Sequence, residues 1–419
     1  MTKRMVPHAV GACLVAMVST ASVWAETAAA ERKSPKPGQP LNADAISVAK
    51  GSAAFGLDLY AQLRAMDGNL AFSPYSISTA LAMTYSGAGG QTAEQMARVL
   101  HFEPAKGKIP PAFADLAMSL YTAGKDTHGS LDIANALWGQ QGEQFLIPFL
   151  ANNNEFYGAG FKQLDFAKSI EQARQAINAW VAEKTKDKIK ELLQKEDVDA
   201  STRLVLTNAV YFRADWVSQF APKLTKDAPF WLDANRKVNV PMMHQDARFP
   251  VATVGDELSL IELPYVGKRL SLVVLLPRKK DGLSGLEKSL DADKLAGWIE
   301  QTKPTPVRVS LPKFKISTRF NLSKTLAAMG MADAFDAAAA DFSGMNGKVH
   351  DLCISNVIHQ TELEVFEQGT EAAAATAVTM KRDRRSEAEF TVDHPFLFVL
   401  RDRETGSILF MGRVVDPKS

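Results

Sequence analysis

The 419-residue chain holds Ser, His and Asp in plenty, but a sequence does not show such residues converging. It has no Gly-x-Ser-x-Gly elbow, no His-Glu-x-x-His pair and no glycine-rich phosphate loop, since Gly87-Ala-Gly-Gly90 lacks the spacing. Its seven histidines are scattered, with His8 and His244 beside Pro or Met rather than other ligands. No catalytic residue, metal ligand or cofactor is assigned. The chemistry on offer is conformational instead. Glu367 to Thr379 reads Glu-Gln-Gly-Thr-Glu-Ala-Ala-Ala-Ala-Thr-Ala-Val-Thr. It follows a strand-like run, Leu352 to Phe366, and runs into the charged cluster Lys381-Arg382-Asp383-Arg384-Arg385-Ser386-Glu387.

Read with a period of two, Thr370, Ala372, Ala374, Thr376, Val378 and Met380 share one face. Glu371, Ala373, Ala375, Ala377, Thr379 and Lys381 share the other. The first face holds nothing that resists burial, and Arg382 is the first residue that would force a charge into a core. The segment is able to enter a sheet as a new strand, stopping near Arg382. The same composition also suits an alanine-rich helix or an unstructured linker. Gly369 and the abrupt change at Arg382 narrow that choice without closing it.

The elements around this stretch are those of one large α+β domain. A chain 46% hydrophobic can bury a large core, and a net charge of +1 offers no bulk attraction to nucleic acid or an acidic membrane. Met1 to Ala25 reads as a secretory signal, with Lys3 and Arg4 ahead of the apolar Ala9 to Val18 and a cleavage site at Val23-Trp24-Ala25. That apolar stretch is too short to span a bilayer. The expected destination is outside the cell or the periplasm. Cys13 lies in this segment, so Cys353 is the one cysteine of the mature chain and no internal disulfide is expected. Residues 26–45 read as a flexible polar lead-in, and 46–419 as the domain. Ser73 and Pro74 fit the cap and first position of a helix. Leu131 to Trp138 reads as a strand, Ile170 to Leu193 as a long helix, and Arg203 to Phe212 as a central strand. Strands follow at Val238 to Met243, Glu257 to Leu263 and Leu270 to Leu276, then a helix at Leu283 to Ile299 and a strand at Val307 to Phe314. Phe396 to Leu400 and Ile408 to Val415 close the chain as a hairpin.

Glu367-Gln-Gly-Thr-Glu-Ala-Ala-Ala-Ala-Thr376 resembles the hinge of the reactive-centre loop of inhibitory serpins. The likeness runs from about Phe55 to Pro417. It includes Asn69-Leu-Ala-Phe-Ser-Pro-Tyr-Ser-Ile-Ser78, Leu204-Val-Leu-Thr-Asn-Ala-Val-Tyr-Phe212, Leu311-Pro-Lys-Phe-Lys315 and Asp393-His-Pro-Phe-Leu-Phe398. The resemblance implies one serpin-type domain: three β-sheets, eight or nine helices and a mobile reactive-centre loop at about 367–390. It makes Glu367, Gly369, Thr370, Glu371, Ala372, Ala373, Ala374, Ala375 and Thr376 the hinge. It places Ser73, Ser76, Asn208 and His359 behind the sheet where its strands part, and Trp216 under the point of entry. Gln360 stands where the family usually has Lys, and Phe366 where it has Asn or Asp.

The mechanism so implied is suicide inhibition of a serine protease. The enzyme attacks a bond in the charged cluster, the freed hinge inserts into the central sheet, and the acyl-enzyme is dragged to the far end. About fourteen residues at roughly 3.3 Å each span about 45 Å. The partner is thus a protease held covalently by a monomeric chain, with loop–sheet polymers as a side reaction. The bait bond is read three ways. Sixteen residues on from Glu367 falls at Asp383-Arg384, counting back from His394-Pro395 gives Arg384-Arg385, and burial gives Arg382-Asp383. Arg382, Arg384 and Arg385 suit a trypsin-like protease with an acidic pocket, and Arg384 is the preferred site. The alternatives are a serpin that is not an inhibitor, such as a carrier or chaperone, and an inhibitor of a cysteine protease.

Overall fold

The structure, a computed structural model, describes residues 41–158, 161–370 and 388–419. Helix α1 (Ala43–Leu63) is capped by Asn42, whose side chain accepts from Ala45 N. It opens inside the stretch read as a lead-in. Then come β1 (Leu70–Phe72), α2 (Pro74–Tyr85), α3 (Gly90–Val99), α4 (Ile109–Lys125), β2 (Ser130–Gln140), α5 (Ile147–Tyr157), β3 (Phe161–Leu164) and α6 (Ile170–Lys184). The middle of the chain supplies β4 (Leu204–Asp215), β5 (Lys226–Trp231), β6 (Lys237–Val254), β7 (Leu258–Pro264) and β8 (Leu270–Pro277). The remainder is α7 (Leu283–Ser289), α8 (Ala292–Glu300), β9 (Lys303–Pro312), β10 (Phe314–Asn321), α9 (Ser323–Leu326), α10 (Ser343–Asn346), β11 (Asn356–Val365), β12 (Gly369–Thr370), β13 (Ala388–Thr391), β14 (Phe396–Asp402) and β15 (Ile408–Val414). Among the described residues no helix is long and apolar enough to cross a membrane.

Among the described residues two hydrogen-bonded sheets carry the strands, where three are expected. A six-stranded sheet runs β10-β11-β12-β4-β2-β3, and a nine-stranded one runs β1-β15-β14-β8-β7-β6-β9-β13 with β5 on β6. The count differs because β6 is 18 residues long. It pairs β5 through its first part, β9 through its middle and β7 through its last four residues, which joins two sheets into one. Among the described residues, eight α-helices of seven residues or more and two single α-turns agree with the expected eight or nine helices. β8 and β15 are buried along their whole length, in keeping with the apolar runs Leu272–Leu276 and Ile408–Met411.

Three boundaries depart from the sequence reading. The long helix stops at Lys184 rather than Leu193, because Thr185 turns its hydroxyl back onto Val181 O while its Oγ1 accepts from Ile189 N. Lys186 and Asp187 then sit at positive φ. The run Lys184 to Lys190, inside the stretch read as helix, is therefore the start of a strap over the six-stranded sheet. The helix read at Leu283 to Ile299 is two, since Asp291 caps α8 by accepting from Lys294 N at 2.8 Å. The strand read from Leu352 begins at Asn356.

Candidate functional site

β4 and β11 pair in parallel over seven residues, from Asn356 opposite Val205 to Glu362 opposite Tyr211. Beyond that point they part, and β12 lies between them, antiparallel to both. Thr370 stands opposite Val365 on one side and Ala214 on the other. Residue numbers on β11 exceed their partners on β4 by 151 in both places, for Asn356 with Val205 and for Val365 with Ala214 across Thr370. The two strands thus keep one register whether they touch or hold a strand between them.

The mouth of this seam is built around Trp216, at the end of β4. Its ring stacks on Tyr265 at 4.3 Å between centroids, and the Tyr265 hydroxyl shares a 2.7 Å hydrogen bond with Thr370 Oγ1. Trp216 Nε1 donates to Phe366 O at 3.0 Å, and its backbone N donates to Gln368 O at 2.9 Å. Two carbonyls of the turn before β12 are thereby fixed to Trp216, and a third, Glu367 O, accepts from Phe220 N. Glu367 is buried; burial raises its pKa, but Lys313 at 3.0 Å and the Thr225 hydroxyl at 2.8 Å outweigh that and hold the carboxyl below its ordinary value. Gly369 meets a close approach, since a Cβ there would lie 1.9 Å from Ala214 O. Only glycine lets β12 lie this close to β4.

Lower down, side chains bridge the seam from beneath. Ser73 caps α2 by accepting from Ser76 N, and its own backbone N–H donates to His359 Nε2 at 3.1 Å. His359 Nδ1–H donates to Asn208 Oδ1, so β11 is tied to β4 at the pair His359–Asn208. Asn208 Nδ2 donates to both Ser76 Oγ and Asn135 Oδ1. Burial pushes the His359 pKa down to about 3. The neutral ring is also the form that accepts the Ser73 N–H.

The opposite face of the sheet is covered by α6 and the strap. Ala134, Ala136 and Trp138 of β2, Val205 and Ala209 of β4 and Ile358 of β11 pack against Ile177 and Val181 of α6 and Ile189, Leu192, Leu193 and Val198 of the strap. Arg319, on β10 beyond β11, donates to Leu192 O at 2.6 Å and pairs with Asp197. The strap therefore crosses the seam and is held on both banks.

Of the residues expected to act together, Ser73, Ser76, Asn208 and His359 form one network, and Trp216, Glu367, Gly369 and Thr370 form the mouth. Glu371 to Thr376 and the bait positions Arg382, Asp383, Arg384 and Arg385 lie outside the described residues, as does the segment read as a secretory signal. Sequence reasoning missed Tyr265, Lys313 and Asn135. Only Asn135 left a signal, as an amide inside an apolar strand. Phe366, unusual for the family, is buried and bonded through its backbone, its N–H donating to Gly369 O and its carbonyl accepting from Trp216 Nε1, so its side chain takes no part in the mouth's polar contacts.

A family model described as Serpin (serine protease inhibitor) matches residues 50–417. A leukocyte elastase inhibitor of Xenopus laevis is 42% identical over 370 residues, 87% of this chain and 97% of that protein. Serpin48 of the insect Tenebrio molitor, described as highly specific, superposes with a TM-score of 0.80 at 33% identity, over 90% of this chain and all of that one. Human thyroxine-binding globulin, solved with its ligand, superposes at 0.81 with 31% identity, over 90% of this chain and all of that one.

The His359 geometry has a pH consequence. The ring is depressed to about 3 when folded, against about 6.5 unfolded, so its contribution is present above pH 6.5 and is lost as pH falls below that value. The closed seam is expected to fail faster on mild heating at pH 5 than at pH 7.5, read as polymer on native gels. His359→Gln should flatten that dependence; an equal pH dependence in the variant would assign the effect elsewhere.

Proposed function

The chain is a member of the serpin family, an inhibitor of proteases and not an enzyme, and from that premise we propose that it is a secreted suicide inhibitor of a trypsin-like serine protease. The single observation that carries this reading is the shared register of β4 and β11 on either side of β12. Continued at the same offset, Ala372 falls between Phe212 and Leu363, Ala374 between Val210 and Thr361, and Thr376 between Asn208 and His359. Val378 then falls between Leu206 and Val357, and Met380 reaches Leu204, where β4 begins. Each of these lands on the buried face that Thr370 already occupies. The other face brings Ala375, Ala377 and Thr379 beneath the strap, where only small side chains fit without lifting it. Insertion so drawn needs the banks to move apart by one strand width, about 4.8 Å, and no slip along the strands.

The same register supports the bait assignment. Seam positions end at Met380, so the attacked bond lies beyond it, which keeps Arg382-Asp383, Asp383-Arg384 and Arg384-Arg385 in play. The Xenopus relative is named for elastase, an enzyme whose specificity pocket is small. Arginines at 382, 384 and 385 call instead for an acidic pocket. Arg384 is the residue we assign. Export rests on the basic and apolar pattern of residues 1–25. The chain acts as a monomer that ends covalently bound to its protease.

Two substitutions test the two halves. Thr370→Arg places a guanidinium in a fully buried slot beside Tyr265, at a cost of several kcal/mol. The variant is expected to be cut by trypsin without forming an SDS-resistant complex; a complex as abundant as the parent's would end the insertion reading. Arg384→Ala with Arg382 intact is expected to slow complex formation with trypsin at least tenfold, about 1.4 kcal/mol. Mass spectrometry of the released fragment locates the bond, and an unchanged rate would remove Arg384 from the role.

A further inference from the structure

The strap is tied to the two banks of the seam in different ways. On the β4 bank, Asn178 of α6 holds both backbone groups of Leu193, at 2.8 and 2.9 Å, and Arg174 donates to Leu193 O and Glu191. Lys186 pairs with Asp132 of β2 at 2.7 Å. Helix, strap and β2 thus act as one unit. On the other bank, Arg319 of β10 donates to Leu192 O at 2.6 Å and pairs with Asp197, and Asn356 of β11 donates to Asp197 O at 2.6 Å. Directly opposite Arg319 on β11 stands Gln360, whose partner across the seam is Ala209 of β4. Opposed residues of antiparallel strands share a face, with Cβ atoms about 5 Å apart. The side-chain oxygen of Gln360, Oε1, is buried and has no hydrogen-bond partner. Buried acceptors are nearly always paired, and one left open beside a guanidinium is a second place for that guanidinium to bind.

We propose that Arg319 is a two-position latch: it holds the strap over the closed seam and turns to Gln360 Oε1 once a strand enters, and so meters the second half of insertion. On the insertion reading, on which this rests, Ala375 comes to lie between Ala209 and Gln360. The banks must part there by about 4.8 Å. A 2.6 Å hydrogen bond does not survive such a step, and the strap stays with α6 and β2. Arg319 is then a partly buried cation without its anion, which is costly. β10 and β11 belong to one bank and pair over eight residues, so Gln360 travels with Arg319 and stays within its reach. Insertion as far as Ala374 leaves the tie intact. Beyond that level, the exchange of Leu192 O and Asp197 for Gln360 sets the pace. Gln360 thereby favours the open sheet while adding no hydrogen bond through Oε1 to the closed one.

The experiment compares the full chain with Arg319→Met and Gln360→Met, each intact and after its loop has been cut by thermolysin, a zinc protease that forms no acyl-enzyme. Hydrogen exchange of residues 188–198 in the intact chain is expected to quicken about tenfold in Arg319→Met and to stay within about twofold of the parent in Gln360→Met. Polymerisation of the intact chain on mild heating is expected to be at least threefold faster in Arg319→Met alone. Gln360→Met removes an unpaired buried acceptor, so the intact variant should melt at or above the parent. Its cut form should melt about 2 °C or more below the cut parent. A merely structural pairing would shift the intact and cut forms of Gln360→Met in the same direction. That result, or unaltered strap exchange or polymerisation in Arg319→Met, would overturn the latch and leave the inhibitor reading standing. A cut parent that melts no higher than the intact one would end the insertion reading itself, and the latch with it.

Discussion

Everything else in this structure depends on how weakly the β4–β11 pairing is closed. Seven residues of parallel ladder, with the His359 to Asn208 side-chain bridge, hold the two strands together. Parallel pairing is slightly less stable per residue than antiparallel. A strand laid between them would exchange that one ladder for two antiparallel ones, as β12 already does at Val365 and Ala214. The sheet is therefore not at its best hydrogen-bonding arrangement while closed. Helix α2 beneath, the strap above and the Trp216–Tyr265 stack at the mouth keep it so.

The fold was legible wherever side-chain pattern and burial agree. The central strand at Arg203 to Phe212, the closing hairpin and the Ser73–Pro74 helix start all follow from local chemistry that nothing tertiary overrides. The strap was not legible, because Lys184 to Glu191 keeps a helical charge pattern and only the fold of Thr185 back on Val181 breaks it. Nor was the joining of two sheets, since a strand's length is local but its three successive partners are not.

At the site, the network residues were found through motif resemblance, while the contacts that define their roles were not. Nothing around Leu263-Pro264-Tyr265 marks Tyr265 as the partner of Thr370, more than a hundred residues away. The same holds for Lys313 and Glu367. Such pairs are set by which strands become neighbours, and no spacing in the sequence encodes that. Cys353, the one cysteine among the described residues, stands free. Its isolation leaves the two banks of the seam joined by nothing covalent.

The constant offset of 151 has a consequence for how such a molecule can change. Under the insertion proposed above, the chain from Thr370 to Met380 would be read in a frame of two, and adding or removing one residue would turn every later side chain to the wrong face. Glu371 or Lys381 would be delivered to the core by a change that alters no other letter. Past Met380 no such frame applies. Length is therefore guarded on one side of the boundary and free on the other, so the spring and the lock it fits can evolve on separate clocks.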